Sequence, residues 1–204
     1  MSKYIILGRS KAGSLIPEFL LTELGIDYDI EFPRRSDLID PSNKGFNPLG
    51  RIPVLICPDR TRIFESIAIV NHITNQFQRL IPNVEAPEYT IYWQVLALLA
   101  TTVYPAYHRQ HHSPNYVEEV GIESLRVKAQ EEQSVVFDYI ECLLSPFVCG
   151  KEITAVDFYL YTLMRWDLNK TKLRKNRPNL TFFLNALRSR KSVDTVLDNQ
   201  PKKK

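Results

Sequence analysis

Glu65-Ser66 stands where an apolar hairpin pattern ends and a helical pattern begins. Backbone N–H groups at a helix N-terminus lack partners, and with the helix dipole they favour an anion, to which Ser66 adds a hydroxyl and its own N–H. The Glu65 carboxylate beside them favours a cation; Ser66 alone would serve equally well as a plain N-cap. A second cluster, Tyr104, Tyr107, His108, Arg109, His111 and His112, mixes aromatic rings with cations at the end of a long apolar helical pattern. His108 and His112 are spaced to put two imidazoles on one helical face, yet no nearby cysteine or acid completes the roughly four ligands of a zinc site. A solvated polar helix end is the plain alternative. Cys57, Cys142 and Cys149 are odd in number and form no CxxC pair, so they read as free thiols in a reducing compartment and as small buried apolar residues. Trp93 and Trp166 read as packing residues.

Elements must hold these residues in place. Lys3–Leu7 is a short β-branched run, and Ser14–Leu24 carries apolar residues at helical spacing up to Gly25 as a stop. Tyr28–Phe32 alternates with period two, while Pro33–Phe46 has no clear period. Asn47-Pro48-Leu49-Gly50 has type I turn composition. Pro53–Cys57 and Thr61–Phe64, joined by Pro58-Asp59-Arg60, form a hairpin pattern, and helix resumes from Glu65 to about Phe77. From Glu88 onward only helical patterns remain, at about 88–104, 118–145, 154–168 and 178–190. Pro105 should end or kink the first of these. Thr154-Ala155-Val156-Asp157 carries a capping box for the third. The expected organisation is an α/β N-terminal domain over 1–78 with β-α-β then β-β-α order, a linker over 79–87, and an all-helical domain over 88–204 with a basic tail.

Composition closes several classes. Lys and Arg number 26 against 23 Asp and Glu, and the net +3 is matched by Lys202, Lys203 and Lys204 alone. Charges of both signs are interspersed elsewhere, which argues against a nucleic-acid face. The N-terminal apolar run is too short for a signal-peptide core of roughly 7–15 residues, and no stretch approaches the roughly 20 a bilayer needs. A cytoplasmic protein with no membrane partner is expected.

The block Asn47-Pro48-Leu49-Gly50-Arg51-Ile52-Pro53-Val54-Leu55, followed after the hairpin by Glu65-Ser66-Ile67-Ala68-Ile69, resembles the glutathione-site segment of the cytosolic glutathione transferases of bacterial type. Their order of elements is matched too, from the thioredoxin-like half through the helical half. The resemblance implies that Pro53 is cis, as it is in the family, and that the N–H and C=O of Ile52 pair with the cysteinyl unit of glutathione as an added strand would. Arg51, Ile52, Pro53, Glu65 and Ser66 are then the glutathione-binding residues, with Ser66 on the γ-glutamyl carboxylate and Glu65 on its ammonium. In the family a Tyr, Ser or Cys just after the first strand lowers the thiol pKa. Gly13-Ser14-Leu15-Ile16-Pro17 looks like the beta-class segment that opens with a catalytic cysteine, but Gly13 occupies that position. Ser14 and Ser10 are the nearby hydroxyls and the catalytic candidates; Ser14 suits an N-cap as well as a thiol donor, and Arg9 or Lys11 could stabilise a thiolate by charge.

Tyr104, Tyr107 and His108 fall on the element that in the family faces the second-substrate cleft, where they would contact a small hydrophobic electrophile. The resemblance further implies a detoxifying homodimer with glutathione as co-substrate, no other cofactor and no metal, acting by thiol addition, peroxide reduction or isomerisation. Gly13 at the cysteine position leaves open a non-catalytic glutathione-binding or assembly module.

Overall fold

A computed structural model describes residues 3–43 and 45–201 of the chain. The lysine tail expected as a solvated end lies outside the described residues. Contacts divide the chain into two units: the described residues up to Leu80 together with those from Arg188 onward, and Ile81–Leu187.

The first unit is built on four strands, β1 (Tyr4–Leu7), β2 (Tyr28–Glu31), β3 (Val54–Ile56) and β4 (Arg62–Phe64), in the order β2-β1-β3-β4. β1 runs parallel to β2, with Tyr4 opposite Tyr28, and antiparallel to β3, with Leu7 opposite Val54. β3 and β4 form the expected hairpin, with Val54 opposite Phe64. Helices α1 (Leu15–Leu24), α2 (Arg35–Ile39) and α3 (Ser66–Phe77) complete the βαβ-ββα order. Leu15, Ile16, Phe19 and Leu20 of α1, Val54 and Leu55 of β3, and Ile69, Val70 and Ile73 of α3 are fully buried. In α1 these are residues of the helical spacing read from the sequence, while β3 is buried on both faces. α1 ends at Gly25, whose φ of 73° and the Ile26 N–H to Leu21 C=O bond close the helix in the left-handed way that glycine accepts without strain. α2 is an addition within the stretch that showed no period. At its start Asp37 accepts from the Arg34 N–H at 3.0 Å.

The second unit is helical: α4 (Pro87–Leu98), α5 (Tyr104–His111), α6 (Ile122–Leu143), α7 (Ala155–Met164), α8 (Lys170–Arg174) and α9 (Pro178–Arg188), which ends on the unit boundary. Pro105 does not end the first helical pattern. A π-helical turn over Leu99–Val103 joins α4 to α5, with the Tyr104 N–H reaching back to Leu99 C=O. Proline deletes one helical rung, and the widened turn carries the chain past it, while buried Gln133 donates to Val103 C=O at 3.2 Å and accepts from Gln110 at 2.7 Å. α7 is buried along its whole length and starts at the expected capping box, in which Asp157 accepts from Thr154 N–H at 2.8 Å and Thr154 Oγ1 at 2.9 Å. Among the described residues no helix is long and apolar enough to cross a membrane.

The last helix, α10 (Lys191–Asp198), belongs to the first unit and packs on α1. The sequence-based boundary grouped residues 188–204 with the helical half. Arg190 pairs with Glu23 of α1 at 2.9 Å through Nε, and Ser192 Oγ donates to the same carboxylate at 2.5 Å.

Candidate functional site

The turn that precedes β3 is held by its own side chain. Gly50 N–H donates to Asn47 C=O at 2.8 Å, and the buried Asn47 amide accepts from Leu49 N–H at 3.0 Å and donates to Arg51 C=O at 2.9 Å. Arg51 is exposed, Ile52 is half-buried against Leu7, Leu38, Val54 and Ile56, and Pro53 is buried. The Ile52–Pro53 peptide bond is cis. Pairing with β1 and β4 starts at Val54, so the backbone of Ile52 lies outside the ladders.

β4 ends at Phe64, and the chain then turns into α3 through Glu65 at φ 68° and ψ 119°. A left-handed φ on a residue with a Cβ costs on the order of 1–3 kcal/mol and persists only where the surroundings impose it. Glu65 is exposed and its side chain makes no capping bond to the helix, so the carboxylate points to solvent beside the first turn of α3. Ser66, half-buried, is the first helical residue. An exposed carboxylate and a helix N-terminus therefore stand side by side.

Between β1 and α1 the chain folds into a tight loop. Ser14 is fully buried; its hydroxyl donates to Arg9 C=O at 2.9 Å and accepts from Arg9 N–H at 3.3 Å. A Cβ on Gly8 would lie 2.4 Å from Ser14 Cβ, so Gly8 lets Ser14 seat against the end of β1. Ser14 occupies the N-cap position of α1 without a side-chain cap bond. Ser10 is half-buried, and its hydroxyl reaches Pro201 C=O at 3.5 Å, the long end of hydrogen-bonding distance. Arg9 and Lys11 are exposed, and Lys11 has a φ of 60°.

Of the aromatic and imidazole candidates of the second unit, Tyr104 and Tyr107 share one partner, Trp166, while His108 pairs with Tyr116 and His112. Tyr104 packs edge-on to Trp166 with ring centres 5.0 Å apart, and Tyr107 lies 6.1 Å from the same indole. Tyr107 is buried and donates to Asp167 at 3.1 Å; burial and the Asp167 charge push its phenol well above the usual tyrosine range. His108 Nδ1 lies 2.6 Å from the Tyr116 hydroxyl, and its ring is 4.6 Å from that of His112. No group of three or more potential metal ligands gathers among the described residues. Cys142 is exposed, not buried as its sequence context predicts, because it lies on the solvent side of α6. Burial pushes the other thiols up, Cys57 to about 11 and Cys149 to about 12, so neither is a ready nucleophile near neutral pH.

Two family descriptions match the chain: the glutathione S-transferase N-terminal domain over residues 15–76 and the glutathione S-transferase C-terminal domain over residues 97–191. The chain belongs to the glutathione transferase superfamily. It is 24% identical over 190 residues to the uncharacterized GST-like protein YncG of Escherichia coli K12, covering 91% of this chain and 92% of the relative. It is 26% identical over 155 residues to the glutathione S-transferase GstA of Escherichia coli O157:H7, covering 74% of each. A solved structure of a glutathione transferase homologue from Sulfitobacter, with bound glutathione, superposes with a TM-score of 0.83 at 20% identity over 97% of this chain and 98% of that one.

Two residues around the loop between β1 and α1 escaped sequence reasoning. Glu18, on the face of α1 that reads as wholly apolar, is buried at 3% exposure. Gln200 reaches it from the other end of the chain, donating to Glu18 Oε2 at 2.8 Å and accepting from Lys11 N–H at 3.0 Å. A charged residue inside an apolar run was the available signal for Glu18; nothing local marks Gln200.

Proposed function

We propose that this transferase-family chain binds glutathione in its first unit and activates the thiol for attack on a small hydrophobic electrophile. The observation that carries the reading is Glu65, held at an unfavourable backbone angle so that its carboxylate stands beside the start of α3. That pairing suits the carboxylate and ammonium of a γ-glutamyl group, with Ser66 on the first and Glu65 on the second. The backbone of Ile52, outside the β-ladders, suits the cysteinyl peptide, and Arg51 extends the positive edge. Ser10, with Arg9 beside it, is assigned to the sulfur. A hydroxyl donor and a cation both favour the thiolate, whose lone pair would form the new C–S bond as the electrophile's leaving group or π-electrons depart. Tyr104, Tyr107 and His108 are proposed as the electrophile's wall, and a cytoplasmic homodimer as the working form.

Ser14 supports a second reading. Its hydroxyl proton already goes to Arg9 C=O, and Gly13 has no side chain, so a glutathione-binding module without catalysis would keep the same loop. Titration with glutathione, followed by calorimetry and by ultraviolet absorbance of bound thiolate, separates the two. Binding with thiolate near neutral pH supports the enzyme, binding as thiol supports the module, and no binding removes both.

A further inference from the structure

The thiol loop is fastened to the rest of its unit through an amide that can be satisfied in only one orientation. Gln200 Oε1 accepts the Lys11 N–H at 3.0 Å, so Gln200 Nε2 must face Glu18, whose Oε2 accepts it at 2.8 Å. The other Glu18 oxygen, Oε1, is buried with no hydrogen-bond partner among the described residues. A carboxylate tolerates this arrangement because it only needs to accept. A protonated carboxyl does not. Its O–H turns either to the Ser14 hydroxyl, which holds Arg9 in the same loop, or to Gln200, which must then flip and present an NH₂ to the Lys11 N–H, donor against donor. Lys11 holds a φ of 60°, and the Gln200 bond is one of the contacts that keep its peptide there.

We propose that Glu18 and Gln200 are positioning residues, a protonation-sensitive clasp that fixes the Arg9–Gly13 loop through the Lys11 amide when Glu18 is ionised and releases it when Glu18 is protonated. The clasp rests on the proposed function only in its consequence, that the reactivity of the glutathione thiol follows the loop. Burial pushes the Glu18 carboxyl up to about 7, against the opposing pull of Gln200 and Ser14, so both states are within reach near neutral pH. A recess of about 500 Å³ lined by Lys11, Leu197, Asp198, Gln200 and Pro201 opens beside the Gln200 end of the clasp. The other ionisable groups around α1 have their own places. Tyr28 on β2 bonds Thr22 at 3.1 Å and is raised mainly by burial, with a smaller part from the Glu18 charge. Glu23 is held by Arg190 and Ser192, His72 on α3 faces Cys57 at 3.3 Å, and Lys191, Asp194 and Asp198 are carried on α10.

The test follows the Lys11 amide resonance of the intact chain by nuclear magnetic resonance from pH 5 to 9, alone and with glutathione, in wild type, Glu18→Gln and Gln200→Met. The expected result is a Lys11 shift that titrates once, within about one unit of pH 7, in wild type and is flat in both variants. With glutathione bound, Gln200→Met should lower thiolate absorbance near pH 7 by about 3- to 10-fold while affinity changes less than about 3-fold, a split that lost packing would not produce. A Lys11 amide that does not titrate in wild type, or titrates alike in folded Glu18→Gln, overturns the clasp whatever glutathione does. A Lys11 amide that follows Glu18 in a protein that binds no glutathione keeps the clasp and removes the proposed function. An unchanged thiolate signal in Gln200→Met overturns the link to the thiol.

Discussion

The Ser14 hydroxyl gives its proton to a carbonyl five residues back and takes the N–H of the same residue, so it locks the loop between β1 and α1. Ser10, bonded only at 3.5 Å, keeps a hydroxyl that can turn. Ser10→Ala is therefore expected to lower turnover by about 10- to 100-fold, or roughly 1.4–2.7 kcal/mol, and to move the pH–rate profile to higher pH as the bound thiol loses a donor. Ser14→Ala should cost about 1–3 kcal/mol of stability by stranding Arg9's backbone groups, with the profile unmoved. The reverse pattern would return the catalytic role to Ser14. On the ligand's other end, Ser66→Ala should weaken glutathione binding by about 1–3 kcal/mol, the cost of leaving a charged group short of a hydrogen bond. Unchanged affinity in calorimetry takes Ser66 out of the site. The residue types that suggested the site were legible because they stand in two nearly contiguous blocks, 47–55 and 65–69. The state of a hydroxyl was not, since burial and the direction of the proton separate Ser14 from Ser10 only in the folded chain.

Elements were legible where their period had room to repeat. The apolar faces of α1, α3 and α6 span ten residues or more, whereas α2 and α8 have five residues each, too few to complete a recognisable pattern. Pro105 distorts the helix without stopping it for a different reason: its cost is local, but Gln133 on α6, far along the chain, donates to the carbonyl at the widened turn. The same dependence on tertiary context governs the α3 start, where Glu65 holds a positive φ at which its Cβ is strained. Replacing Glu65 sets two effects against each other. Glu65→Gly relieves about 1–3 kcal/mol of backbone strain and costs about 0.5–1 kcal/mol of chain entropy, so the folded state should gain on the order of 1 kcal/mol. Glu65→Ala keeps the Cβ and the strain. Both variants lose the carboxylate, and glutathione affinity should fall in both, while chemical denaturation ranks Gly as the more stable. Equal stability of the two would mean that the angle is not a strained one.

Across the whole molecule, the chain's two ends meet in one unit: α10 packs on α1, and Gln200 closes on Glu18 and Lys11. Sequence reading grouped 188–204 with the helical half because helical period is local, whereas the partners of Arg190, Ser192 and Gln200 lie more than 160 positions away. That return of the chain has a thermodynamic consequence. Glu18 carries a carboxyl raised from its ordinary 4.5 to about 7 by burial, so the folded state holds its proton more tightly than the unfolded chain does. The resulting stabilisation is fully present below about pH 4.5 and is lost as pH rises through about 7, at most about 3 kcal/mol at roughly 1.4 kcal/mol for each tenfold change in proton affinity. Trp93 and Trp166 both lie in the second unit, so their fluorescence is the wrong probe for this loss. Hydrogen exchange at the α1 amides, corrected for the intrinsic pH dependence of exchange, reads it directly. Protection of α1 should fall between pH 4.5 and 7.5 in wild type, and the fall should be absent from Glu18→Gln, which has no proton to lose. A wild-type profile parallel to that of Glu18→Gln would show that Glu18 titrates alike in the folded and unfolded chain, and that the ionised clasp is held at no cost to the fold.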